Sequence, residues 1–310
     1  MTTPSAEMMR FYRVAYEGAQ VRTAAQLTEV PELVGHRPRS VVVIATDTIA
    51  EASARLLMAL KAPLRVPVVV ARTLPSYIGA LDTVVIVGSR AEDEEAARAM
   101  SVAASRGATV VYAGPAEGPL REDAPERAVL LDAPQAAPAL SPARTLAAVG
   151  TVIDLMEEDP HLVATRLHHL ADAVDEEVER VHPQREEVVN PARQLRSWCA
   201  GAQIMHTGHG PIAQAIAEVA ARVWSAYELP SGVAEPQELA GATAQRDPFF
   251  DPFLDAAPAV LPLKVVVWTS PEALIPGGLE QNTPAAAQGH TAEALCLIAR
   301  ALAATVPLDS

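Results

Sequence analysis

The sequence predicts an α/β protein made of two three-layer α/β/α domains in tandem, each built on a parallel sheet. β-Branched runs such as Thr83–Val87 are apolar on successive residues, as in strands that are buried on both faces. A strand, a loop and a helix follow one another at 41–60, 82–105, 202–227 and 263–304, and this alternation favours parallel strands covered by helices. The 310 residues, 50% of them hydrophobic, suffice for two such cores.

The segment Leu81–Gly114 carries the clearest βαβ unit. Gly88-Ser89-Arg90 turns the chain after the first strand, and four acids at 92–95 open a helix at its positive end. Arg106-Gly107 closes that helix, and Thr109–Ala113 is the second strand. Because such a crossover is right-handed and buries both of its strands, the unit requires a layered domain around it.

The first domain is predicted to span residues 1–156. Its other elements follow from apolar periodicity and from the glycine and proline residues between the segments. They are one or two leading helices over Ala6–Glu29, strands over Ser40–Ala45, Val66–Ala71 and Ala128–Leu131, and helices over Ile49–Leu60 and 143–156.

The second domain is predicted to span residues 157–310 and to begin with an acidic linker helix over 159–180. Asn190 and Pro191 then supply the N-cap and the first position of a helix. Segment Asp247–Phe253 holds three of the four phenylalanines and is expected to pack on the core or on a partner subunit. The remaining elements are a strand over Ala202–Met205, a loop over His206–Pro211, a helix over Ile212–Tyr227, a strand over Leu261–Thr269 and a closing helix over Pro284–Thr305.

Charge and cysteine content exclude several classes of protein. The formal charge of −14 argues against nucleic acid or an anionic membrane as the main partner. Cys199 and Cys296 are isolated, so neither a metal site nor a disulfide framework is indicated. The N-terminus lacks a basic segment followed by an apolar core, and the apolar runs have the length of strands. We therefore expect a cytoplasmic protein without a membrane partner, a metal or another cofactor.

Three stretches resemble the bifunctional phosphoglucose/phosphomannose isomerases, a family with two sugar-isomerase (SIS) domains in tandem. They are Leu74-Pro75-x-Tyr77 with the strand from Asp82, Asn190-Pro191-Ala192-Arg193, and Val219–Val223. The resemblance implies two SIS-like domains, a homodimer, and a sugar phosphate as the small-molecule substrate. It also implies aldose–ketose isomerisation without a metal or nucleotide cofactor.

The phosphate loop of that family has a different sequence here. Its Ser-x-Ser-Gly-x-Thr turn corresponds to residues 88–93, which read Gly-Ser-Arg-Ala-Glu-Asp. The resemblance makes Ser89, Arg90 and Thr46 the candidate phosphate ligands in the first domain, with Arg144 in place of an arginine expected near position 139. Carboxylates such as Asp47 would repel a dianion, so self-capped helices without a ligand are the other interpretation. An exposed side chain is the other interpretation of Arg144.

The catalytic residues of the family are also displaced. Its glutamate base corresponds to Leu229, one residue after Glu228, so Glu228 is the candidate base and a capping or surface carboxylate is its alternative. No histidine occurs at 235–245, where the family has its ring-opening histidine. His209 is the candidate replacement, against an ordinary loop histidine.

The loop at 206–211 is the best-formed ligand loop in the chain. It follows a strand, contains two glycines and leads into a helix, so its backbone donors are predicted to converge on an anion. Thr207, Gly208 and Gly210 are therefore candidate phosphate ligands. Elsewhere, His168 and His169 are expected to be solvated or at an interface, and His290 is a candidate to face the cleft of a partner subunit.

Two hypotheses for the function follow. The first is a phosphosugar-binding protein of the SIS isomerase family that interconverts hexose 6-phosphates through a relocated carboxylate base. The second is a catalytically inactive relative that serves as a sensor or as a partner subunit in hexose or mannose phosphate metabolism. Retention of the Asn190-Pro191-Ala192-Arg193 segment favours a surviving cleft, whereas the altered phosphate loop favours loss of the reaction.

Overall fold

The computed structural model of the protein describes residues 6–243, 261–269, 275 and 277–306. The phenylalanine-rich segment Asp247–Phe253 lies outside these described residues. Within them the chain forms two parallel sheets that are covered by helices, as the α/β prediction requires.

The first sheet has five parallel strands in the order β2-β1-β3-β4-β5. The central pair is in register from Ser40 opposite Asp82 to Ala45 opposite Val87. The order brings the loops that follow β1 and β3 side by side at the carboxyl edge of the sheet. The strands are β1 (Ser40–Ala45), β2 (Val68–Ala71), β3 (Asp82–Val87), β4 (Thr109–Ala113) and β5 (Val129–Leu130).

The second sheet has four parallel strands in the order β7-β6-β8-β9. β6 continues to Thr207, two residues beyond the prediction, because it pairs with β8 along its whole length. β7 and β9 were not predicted, since the edge runs Ser-Gly-Val and Gly-Leu-Glu-Gln carry no strand pattern. The strands are β6 (Gln203–Thr207), β7 (Ser231–Val233), β8 (Leu263–Trp268) and β9 (Gly278–Gln281).

Most helices lie where the periodicity predicts them, with ends displaced by a few residues, whereas the short helices α5 and α10 were not predicted. Asp47, Asp93, Ser141, Asp159 and Asn190 each accept a backbone N–H at the start of a helix. The helices are α1 (Ala6–Ala15), α2 (Glu17–Thr23), α3 (Thr48–Leu60), α4 (Glu94–Ser105), α5 (Pro119–Glu122), α6 (Pro142–Asp154), α7 (Pro160–Arg180), α8 (Pro191–Cys199), α9 (Gly210–Ala226), α10 (Pro236–Thr243) and α11 (His290–Ala303).

Alternate residues of β1 pack on opposite sides of the first sheet. Val41 and Val43 join a core cluster that also contains side chains of α3, α6, α9 and α11, whereas Val42 and Ile44 pack with α4. Since the larger cluster includes Trp224 and residues of both sheets, the two halves of the chain share one core. The boundary predicted at 156/157 stays a prediction.

No helix in the described part of the chain is long and apolar enough to span a membrane. The same residues contain no group of three or more His, Cys, Asp or Glu side chains that could hold a metal ion.

Candidate functional site

The loops that follow β1 and β3 are joined by the carboxylate of Asp47. Its Oδ1 atom accepts hydrogen bonds from the backbone N–H groups of Ile49 at 3.0 Å and Ala50 at 2.9 Å, which caps α3. Its Oδ2 atom accepts from the Ser89 backbone N–H at 2.6 Å and from Ser89 Oγ at 2.9 Å. Asp47 therefore occupies the position at which a helix N-terminus and a serine loop would hold an external anion.

The neighbouring candidates are engaged in the same way. Thr46 Oγ1 accepts from the Arg90 backbone N–H at 3.4 Å, and the exposed Arg90 guanidinium lies 3.7 Å from Asp93. Gly88 has a φ of +124°, and a Cβ there would lie 2.2 Å from Thr46 Oγ1, so only glycine allows the two loops to approach. The structure thus brings Thr46, Ser89 and Arg90 together, but around an internal carboxylate.

Little space remains between these loops and the start of α6. The cavity there has a volume of about 10 Å³, which is no more than one water molecule needs.

Arg144 lies in this region and is 3% exposed, so the interpretation as an exposed side chain is wrong. All three guanidinium nitrogens donate hydrogen bonds within the protein. The acceptors are the carbonyl oxygens of Ala113, Gly114, Leu131 and Asp132 and the side-chain oxygens of Gln20 and Thr23. Burial lowers its pKa to about 10. Arg144 thus links the ends of β4 and β5 to the leading helices. Because its N–H groups already donate within the protein, they are not free to bind a phosphate.

Glu17 lies beside the start of the same helix and is 1% exposed. Its Oε2 atom accepts from the Ala143 backbone N–H at 3.0 Å. Burial raises its pKa to about 7, against the opposing effect of hydrogen bonds from Ser141 and Ala143. The folded protein therefore binds a proton at Glu17 more tightly than the unfolded chain does.

We expect this carboxyl to make stability fall with rising pH. The native pKa exceeds the unfolded value, so the contribution is complete below about pH 4.5 and is lost as pH rises through about 7. Between pH 4.5 and 8 the wild type should lose on the order of 3 kcal/mol relative to Glu17→Gln in urea unfolding. Parallel pH profiles of the two proteins would contradict this expectation.

His206 and Thr207, which the sequence placed in a loop, are fully buried in β6. His206 Nδ1 accepts from Trp268 Nε1 at 3.1 Å, and Nε2 lies 3.2 Å from Ser231 Oγ. Its ring also meets the Trp224 ring edge-on at 4.9 Å. Burial lowers the pKa of His206 to about 3, so this histidine is a neutral core residue near pH 7.

The turn that follows β6 leads directly into α9. Gly208 is required because a Cβ there would lie 2.4 Å from the Ala213 carbonyl carbon, and Gly210 has a φ of +78°. The Gly208 N–H donates to Gln214 Oε1 at 3.2 Å. No side chain caps α9, since His209 at the N-cap makes no such bond. The N–H groups of the first turn are therefore left for an external acceptor.

Two buried polar atoms next to this helix start have no hydrogen-bond partner among the described residues. They are Thr207 Oγ1 and His209 Nε2. A buried hydroxyl without a partner costs free energy, so such a group in a native protein calls for an explanation. The structure thus groups Thr207, Gly208, His209 and Gly210 between the end of β6 and the start of α9.

A groove of about 520 Å³ begins at this helix start and follows α9 along the edge strand β7. Polar side chains one turn apart line the helix side, namely Gln214, Glu218 and Arg222. Ser231 lines the strand side. The sequence analysis missed Glu218, although its spacing of four residues from Gln214 and Arg222 places all three on one helix face.

Glu228 lies at the opposite end of α9 from His209. It is exposed and follows the last helical turn with a φ of +62°. The 17 residues of α9 separate the two by about 25 Å at the rise of an α-helix. One chain therefore does not bring Glu228 and His209 into a single site.

Comparison with known proteins adds the fold class. No sequence-family profile and no curated protein matches the chain. Among solved structures, it is similar to the C-terminal domain of glucosamine-fructose-6-phosphate aminotransferase from Francisella tularensis, with 11% identity and a TM-score of 0.61 over 98% of this chain and 95% of that one. It is also similar to tagatose-6-phosphate ketose/aldose isomerase from Escherichia coli, with 13% identity and a TM-score of 0.64 over 98% and 95%. The chain therefore has the SIS fold that its sequence predicts.

Proposed function

We propose that the protein binds a sugar phosphate at the start of α9 and interconverts its aldose and ketose forms. The observation that carries this proposal is a helix start that no described side chain caps, with the unpartnered Thr207 hydroxyl before it and a polar groove that Pro211 of the first turn lines. The solved structures with this fold include a ketose/aldose isomerase. The motifs at Asn190 and at Val219–Val223 favour the phosphoglucose/phosphomannose isomerase branch.

In this proposal the phosphate binds in the second half of the chain. The N–H groups of the first turn of α9 and its dipole attract the dianion, and glycines at 208 and 210 let it approach the backbone. The Thr207 hydroxyl donates to a phosphate oxygen, which satisfies its missing hydrogen bond. The equivalent place after β1 is closed to phosphate because Asp47 fills it.

The sugar lies in the groove, where its hydroxyls contact Gln214, Arg222 and Ser231. Isomerisation requires a base that moves a proton between C1 and C2 of the open-chain sugar. Glu218 is the base in this proposal because it lines the groove about 12 Å along α9 from Gly210 at the rise of an α-helix. His209 assists ring opening at the phosphate end, and Glu228 is the other candidate base.

A matched pair of threonine variants tests the phosphate site. Thr207 and Thr83 are both fully buried strand residues with unpartnered hydroxyls. We expect each Thr→Val change to raise the free energy of unfolding by about 1 kcal/mol, because each removes an unsatisfied hydroxyl. Only Thr207→Val should weaken the binding of fructose 6-phosphate, by about tenfold in titration calorimetry. Equal affinities of the two variants would place the phosphate elsewhere.

Proton exchange tests the reaction. Fructose 6-phosphate is incubated with the protein in heavy water, and deuterium at C2 of the aldose product is followed by NMR. We expect exchange in the wild type, its loss in Glu218→Gln and its retention in Glu228→Gln. Loss in Glu228→Gln alone would assign the base to the far end of the helix. Binding without any exchange in the wild type would leave a phosphosugar sensor or partner subunit.

A further inference from the structure

A second cavity, of about 550 Å³, lies among helices of both halves of the chain. Its described walls come from α2, α3, α6, α7 and the start of α11, and they include no residue of the described strands or of α9. It touches Leu57 and Lys61 at the carboxyl end of α3, whereas Asp47 caps the other end. The cavity is therefore separate from the carboxyl edge of the first sheet and from the start of α9.

Aliphatic side chains form much of the cavity wall. Gly150 lets α6 pack closely on α3, since a Cβ there would lie 3.3 Å from Leu57 Cδ1. The leucines that contribute are Leu57, Leu146, Leu167, Leu170 and Leu295. The size lies within the range of small-molecule sites, which combine an apolar wall with a few polar groups. Among the described residues, the imidazoles of His169 and His290 are the only aromatic rings that line it, so an aliphatic body suits this wall better than a flat base.

The polar part of the wall carries more positive than negative charge. Lys61 Nζ and Arg166 Nη2 share the carboxylate of Asp154, at 2.5 Å and 2.6 Å. Two cations thus face the cavity with one carboxylate, although the chain has a net charge of −14. Arg166 also pairs with Glu158, which lies outside the wall. With Glu158 included, two carboxylates balance the two cations, so an anion at this cavity needs a further source of positive potential.

The other polar wall is the start of α11. Gly289 occupies the N-cap with a φ of +107°, and no side chain caps this helix of 14 residues. Gln288, Gly289, His290 and Thr291 all line the cavity, and the exposed His169 of α7 lines it as well. Glu293 is 3.6 Å from His290 Nδ1 but lies outside the wall. The free N–H groups and the helix dipole give this part of the wall a positive potential.

We propose that this cavity is a second ligand site, which takes a small organic anion with an aliphatic body and a phosphate or carboxylate head. The body lies on the leucine wall, and the head lies between His169 and the start of α11. Because helices of both halves contribute, a bound ligand would hold α7 and α11 against α3 and α6.

The two adjacent histidines of α7 provide a matched test. Both are exposed, but only His169 lines the cavity, and glutamate at either position meets the same Asp172 one turn later. With n-hexyl phosphate as the probe in titration calorimetry, we expect His169→Glu to weaken binding at least tenfold and His168→Glu to leave it unchanged. Inorganic phosphate and 1-hexanol should each bind at least tenfold more weakly than the probe.

A second variant tests whether the loss of affinity in His169→Glu reflects the whole cavity or only a local change at position 169. Thr291→Asp places a carboxylate in the first turn of α11, where it stabilises the helix and repels an anion. This variant should also weaken the binding of n-hexyl phosphate at least tenfold. Thr207→Val should leave the probe's affinity unchanged. A probe that does not bind the wild type, or that responds to Thr207→Val and not to His169→Glu, would overturn the second site. Failure of fructose 6-phosphate to bind would overturn only the site at α9.

Discussion

Replacing Arg144 by methionine lowers the free energy of unfolding by about 4 kcal/mol or more. The change removes the guanidinium donors to the carbonyl oxygens of Ala113, Leu131 and Asp132, and a buried carbonyl left unsatisfied costs about 1–3 kcal/mol. Methionine fills most of the volume, so the loss reports on the hydrogen bonds more than on a cavity. Urea unfolding of the wild type and the variant measures the difference.

Arg22→Met is the control for Arg144→Met. Arg22 is a partly exposed arginine that pairs with Asp172 and Asp175, and such pairs contribute about 1 kcal/mol or less. We expect the Arg144 variant, where it still folds, to keep its affinity for fructose 6-phosphate. A stable Arg144→Met protein that no longer binds fructose 6-phosphate would instead support the role of phosphate ligand that the family resemblance implies for Arg144.

Replacing Arg300 by methionine is expected to lower the free energy of unfolding by about 3–5 kcal/mol, because it removes the main cationic partner of a buried carboxylate. Glu177 of α7 is fully buried, and its Oε1 atom accepts from Arg300 Nε at 2.8 Å and from Nη2 at 2.7 Å. Arg180 and Thr283 contact the other carboxylate oxygen at 3.3 Å. The Glu177–Arg300 ion pair thus holds α7, which is the linker helix, against α11 of the second half of the chain.

A double-mutant cycle separates the charge from the packing. Glu177→Met combined with Arg300→Met removes both charges, so the double variant should be more stable than Arg300→Met alone. A double variant whose loss equals the sum of the two single losses would show that the ion pair has no coupling. In that case the residues would act through shape alone.

Local pattern predicted most of the fold. β1 and β4 match the predicted strands to the residue, because a run of β-branched side chains between turn residues has few alternatives. The cap predicted at Asn190 acts where α8 begins. β9 escaped prediction because a four-residue edge strand is specified by its neighbour β8 and not by its own sequence.

The candidate site was only partly predictable. The loop after β6 and its glycines could be read directly, because a strand, a glycine turn and a helix start are consecutive in the chain. The spacing of Gln214, Glu218 and Arg222 is also visible in the sequence, but the groove they line exists only because β7 lies beside α9. Whether the first phosphate loop could accept an anion depended on a contact between Asp47 and Ser89, which are 42 residues apart in the sequence.

The sequence by itself determined the succession of strands and helices, since backbone hydrogen bonding and apolar periodicity act over a few residues. Tertiary structure alone decided what the polar side chains do. Arg144 and His206 have no sequence signal for burial, and the partners that satisfy them come from distant segments such as Gln20 and Trp268. A buried polar group must find its partners wherever the packed elements place them, so its role is fixed only once the core has formed.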